Sequence, residues 1–122
     1  MMERLIIKIL LISVVVASGC YYDSAENLYP SSGCVTTNMS LQTDIIPILE
    51  TNCYVCHSAA AHNGDVILEG YNELIKQVNN GKLLGAINHE PNFFAMPQGA
   101  PKLSTCDISK IEHWIVEGKK NN

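Results

Sequence analysis

Cys53-Tyr54-Val55-Cys56-His57 is the stretch on which the reading of this chain turns. Two thiols three residues apart, followed at once by a histidine, form the C-x-x-C-H pattern through which c-type haem is attached. Thiols at that spacing reach the two vinyl groups of one porphyrin and hold it by thioether bonds. The imidazole is then placed under the iron as its proximal ligand. The same residues admit other chemistry, because C-x-x-C is also half of a structural zinc site and the redox pair of thioredoxin-like proteins. No second C-x-x-C and no H-x-x-x-H follows in the sequence to complete a zinc site, and no βαβ pattern surrounds the pair. Haem attachment through Cys53 and Cys56, with His57 on the iron, is the leading reading; zinc and a redox dithiol stand behind it.

The remaining cysteines speak to compartment. Glu3, Arg4 and Lys8 surround the start of an apolar run that ends in small residues near Ala17. So short a run, positively flanked, has the form of a signal peptide's apolar region rather than a membrane span. It closes on Ala17-Ser18-Gly19-Cys20, which resembles the lipobox of bacterial lipoproteins, with Ala17 where a larger aliphatic residue is usual. The resemblance makes Cys20 the lipid acceptor and the first residue of the mature chain. An ordinary signal with Cys20 incidental, or an uncleaved anchor, are the other readings. The layout expected is a signal peptide over 1–19, a turn-rich tether over 20–37 and one folded domain over 38–122. Export leads to the periplasmic side of the cell envelope. Tyr21, rather than Asp, after Cys20 favours the outer membrane over the inner by resemblance to lipoprotein sorting.

Outside the cytoplasm disulfides persist. With Cys20 assigned to lipid and Cys53 and Cys56 to haem, two of the five cysteines remain, Cys34 and Cys106. Pairing them leaves no free thiol. Closing so long a loop contributes about 4 kcal/mol in the chain-entropy model.

Beyond residue 19, six lysines face eleven carboxylates, a formal charge of −5. No basic stripe exists, so nucleic acid is not an expected partner. An acidic surface instead suits redox proteins with a basic docking face, which it steers in a salt-dependent way.

The periodicity is helical throughout. From Leu41 to Asn52, Ile45, Ile48 and Leu49 share a face, Thr43 or Asp44 is the expected cap, and Pro47 fits only a first turn. Val66-Ile67-Leu68 is too short for more than an extended segment. Tyr71 to Asn79 reads as a helix ended by Asn80-Gly81, and Lys82 to Ile87 as a second short one. Pro91, Pro97, Gly99 and Pro101 enforce a loop from about Glu90 to Leu103. Ser104 and Asp107 have the spacing of a capping box before Ile108, Ile111, Trp114 and Ile115, and Gly118 closes that helix. The class is all-α, with one haem motif and no internal repeat.

A low-spin electron-transfer haem takes a second axial ligand, most often methionine or histidine. Met96, in Asn92-Phe93-Phe94-Ala95-Met96-Pro97-Gln98-Gly99, sits in a loop that Pro97 and Gly99 hold out of helix. It is the expected sixth ligand, with His89 as runner-up. Met39 is expected in the core, and His62 and His113 at the surface.

Asp44-Ile45-Ile46-Pro47-Ile48-Leu49, Asn52 to His57, Met96-Pro97, Leu103-Ser104 and Ile111-Glu112-His113-Trp114-Ile115 together resemble class I cytochrome c. More narrowly, they resemble the short single-haem domains of bacterial lipoprotein cytochromes. The resemblance covers about residues 38 to 119. It implies a fold whose first and last helices pack together around one covalent haem c. Cys53 and Cys56 become the thioether positions, His57 the proximal ligand and Met96 the distal one. The implied role is a lipid-anchored one-electron carrier, not an enzyme. A haem enzyme or a gas or redox sensor with a displaceable distal ligand is the alternative; a structural metal module is the third reading. Mass mapping of non-reduced digests should recover a linked Cys34–Cys106 peptide pair; both residues found alkylated would exclude the bridge.

Overall fold

Ser40 begins the first helical segment, and the computed structural model describes the chain from Gly33 to Asn122. The signal peptide, Cys20 and the tether as far as residue 32 lie outside the described residues. The order of elements is a π-helical turn at Leu41–Ile45, α1 at Ile46–Asn52, α2 at Tyr54–His57, a 3-10 turn at Asn63–Asp65, α3 at Tyr71–Asn79, α4 at Lys82–Ile87 and α5 at Thr105–Val116. No strand occurs among the described residues, so the all-α class holds.

The first segment starts earlier than its sequence suggests, and neither Thr43 nor Asp44 is its cap. Ser40 is: its hydroxyl accepts from Thr43 N–H, while Asp44 Oδ2 accepts from Ser40 N–H at 2.9 Å. The reason lies just downstream. Pro47 has no amide and its ring crowds the carbonyl four residues back. The turn before it is widened, with Ile46 N–H donating to Leu41 O, and Pro47 then falls in the first turn of α1.

A helix start leaves four amides without intrahelical partners. Here the far end of the chain supplies several. Leu41 N–H donates to Asn122 Oδ1 at 3.2 Å and Gln42 N–H to Asn122 O at 3.0 Å. Just ahead of the turn, both oxygens of Glu117 accept, from Asn38 N–H at 2.9 Å and Met39 N–H at 2.8 Å.

α5 lies against the π-helical turn, and its apolar face is the centre of the core. Ile111 and Trp114 are fully buried with Leu41, Ile45 and Leu49, and Ile115 packs at the edge of the same cluster. Burying each such side chain is worth about 1.5–3 kcal/mol. Met39 joins them, as expected of it. α3 and α4 pack as a pair beside this layer and contribute Leu74, Val78, Leu83 and Ile87.

α5 begins and ends as its sequence predicts. Ser104 Oγ accepts from Asp107 N–H at 3.0 Å and donates to Asp107 Oδ2 at 2.7 Å. At the other end Gly118, at φ +103°, turns the chain so that Gly118 N–H reaches Ile115 O and Lys119 N–H reaches Trp114 O. Cys106, in the first turn of α5, is joined to Cys34 by a disulfide with a Cα–Cα separation of 5.8 Å. The bridge fixes the segment that precedes the first helix to the last one.

Glu117→Ala strips two amides near the first helix of a charged acceptor. Urea unfolding should show a loss of about 2 kcal/mol, and a change below half that would mean water replaces the carboxylate at little cost.

Candidate functional site

α1 delivers Cys53. Cys53 N–H still donates to Leu49 O at 2.8 Å, but its backbone, at φ −125°, leaves the helix and re-enters as the single turn of α2. Two side chains serve carbonyls of α1 on the way: Thr51 Oγ1 donates to Pro47 O and Asn52 Nδ2 to Ile48 O, each at 2.8 Å. Cys56 and His57 N–H both donate to Cys53 O. The five residues thus form one tight turn with both thiols three residues apart.

Cys53 and Cys56 are both reduced and partly buried. Cys53 leans on the core, and this burial pushes its thiol up to about 11. That shift favours the neutral thiol over the thiolate. Among the described residues no three His, Cys, Asp or Glu side chains gather as ligands of one ion. Zinc would require that convergence. Thioether attachment does not, because the thiols meet a porphyrin at its rim and the imidazole meets it at its centre.

His57 is held on two sides by the extended segment at 66–68. Its Nδ1 lies 3.2 Å from Val66 O, and its own carbonyl accepts from Leu68 N–H at 2.8 Å. A carbonyl oxygen only accepts, so Nδ1 is the donor in this contact, and in a neutral ring Nε2 then keeps its lone pair. That is the tautomer an Nε2 metal ligand needs, with a backbone carbonyl as its outer partner. The 3-10 turn makes the return possible: His62, Gly64 and Asp65 all take positive φ and reverse the chain. His62 itself is exposed, as is His113.

The surroundings are apolar at the surface and anionic at the flank. Val55, between the two cysteines, is 88% exposed. Burial, then the carboxylates of Glu50 and Glu69, then Cys53, raise the Tyr54 hydroxyl above its ordinary value. These features fit a haem c: two free thiols, an imidazole whose Nδ1 is tied to a carbonyl, and an apolar side chain left uncovered between the thiols.

Met96 belongs to a second constellation, on α4. It is partly buried, its N–H donates to Ala86 O at 3.0 Å, and its carbonyl faces His89 Nε2 at 3.0 Å. The sequence gives no sign of Val66 O, since a backbone acceptor has no residue signature. Phe93 lying on Gly85 has one: glycine inside a short helix marks close approach.

No family model matches the chain, and no curated protein or solved structure is detectably similar to it.

In the unmodified chain with the Cys34–Cys106 bridge formed, iodoacetamide should label Cys53 with an apparent pKa near 11, falling to about 9.0 in denaturant. Burial favours the neutral thiol, so the stability it confers is present below the unfolded value and lost as pH rises towards 11. Equal native and denatured profiles would show that Cys53 is not shielded.

Proposed function

We propose that this chain is a single-haem c-type cytochrome with a class I fold, tethered by lipid on Cys20 outside the cytoplasm, that carries one electron between protein partners. The observation that carries the reading is the Nδ1–H···O bond from His57 to Val66 beside two reduced thiols. The contact between α5 and the first helical turn supports the fold assignment.

Cys53 and Cys56 would hold the haem through thioether bonds, and His57 Nε2 would ligate its iron. When bound, haem supplies a one-electron Fe(III)/Fe(II) couple. Val66 O keeps the His57 ring from rotating and raises its basicity by accepting the Nδ1 proton. Met96 is the residue that would supply a second protein ligand, which would leave the iron no open position for a substrate. Asp44, Glu50, Asp65, Glu69 and Glu73 are the only charged side chains in residues 33–75, so a partner approaching that part of the chain is favoured when basic.

A redox-titrated visible spectrum tests this. The purified protein should carry one haem that survives acid–acetone extraction, and Cys53→Ala/Cys56→Ala should release it. Met96→Ala should remove the long-wavelength sulfur–iron band and lower the potential by on the order of 0.1 V, a small part of the range axial ligation spans. Metal without a Soret band would end the proposal.

A further inference from the structure

The loop that carries Met96 is seated on α4 from several directions. Glu90 N–H donates to Gly85 O at 2.9 Å, Phe93 N–H to Glu90 O at 3.2 Å and Met96 N–H to Ala86 O at 3.0 Å. His89 closes the loop from its other end, with Nε2 3.0 Å from Met96 O. Because the carbonyl only accepts, Nε2 bears the proton and donates. Beneath them Phe93 lies on Gly85 so closely that a Cβ at residue 85 would stand 2.5 Å from the ring. His89 takes φ +54°, the left-handed position at which helices commonly end, and Glu90 N–H closes that cap on Gly85 O.

We propose that His89 and the Gly85–Phe93 contact form a preset strut for the sixth ligand, so that His89 is a positioning residue for Met96 and not itself a ligand. The proposal rests on Met96 being the distal ligand. His89 Nε2 is committed as a donor to the Met96 carbonyl, which removes that nitrogen as a metal-binding atom. Thioether sulfur is a neutral, weak ligand, so how often it leaves the sixth position depends on how firmly its loop is held. Each departure opens that position to a competitor, whose apparent affinity rises with the fraction of time the loop is away.

The experiment is an imidazole titration of the ferric holoprotein, followed by absorbance, in the wild type and in Met96→Ala, His89→Ala, His89→Gln and Gly85→Ala. Far-UV circular dichroism accompanies each, and the sulfur–iron band is recorded before titration. Losing one hydrogen bond should let imidazole bind about three- to tenfold tighter to His89→Ala, with the band weakened but present. His89→Gln should return towards the wild type, because its amide N–H serves the same carbonyl. Gly85→Ala should behave like His89→Ala, since the new methyl displaces Phe93. Wild-type imidazole affinity in both His89→Ala and Gly85→Ala, with the band still abolished by Met96→Ala, would overturn the strut and leave the ligand assignment intact. Loss of the low-spin spectrum in both His89 variants would make His89 the ligand and overturn it too. A wild type without the band, unchanged in Met96→Ala, would reject the ligand assignment itself and the strut with it.

Discussion

Trp114 and Ile111 pressed against Leu41, Ile45 and Leu49 are the contact from which the rest of this structure hangs. All five are fully buried, and they join the last helix to the first helical turn across the length of the described chain. α1 runs from that contact directly into Cys53, so its placement fixes where the C-x-x-C-H turn stands. The polar bonds of Glu117 and Asn122 to the first helix start follow the same seam. They satisfy amides that a helix entry otherwise leaves to water. The Cys34–Cys106 bridge adds a covalent tie at the opposite end of α5.

Around that frame the chemistry is divided between two places. One is the turn at Cys53–His57, braced from outside by the return of residues 66–68. The other is the Met96 loop, braced by α4. Each holds its candidate ligand through backbone carbonyls, Val66 O in one case and Ala86 O in the other. Such bracing limits ring and loop motion through groups that carry no charge of their own.

Much of the helix plan was legible residue by residue. Asn80-Gly81, Ser104 with Asp107, and Gly118 are local signals, and α3, α4 and α5 begin and end where these residues place them. The start of the first segment is not legible locally because Pro47 acts at a distance: the turn before it is widened, and the cap lies back at Ser40. Cysteine counting paired Cys34 with Cys106 although nothing local links them, since the arithmetic of thiols is global. His89 was harder to place. Its type suggests a ligand, and only its hydrogen bond to Met96 O gives it another task.

By itself the sequence determined the all-α class, the thiol and imidazole spacing at Cys53, Cys56 and His57, and the loop character around Met96, because these follow from short-range stereochemistry. The tertiary structure alone decided which nitrogen of His57 carries the proton, what burial does to the Cys53 thiol, and which groups hold residue 96 in place. Tautomer, burial and loop seating are set by atoms that arrive from elsewhere in the chain. Backbone carbonyls such as Val66 O and Ala86 O leave no trace in the order of side chains until the fold brings them near.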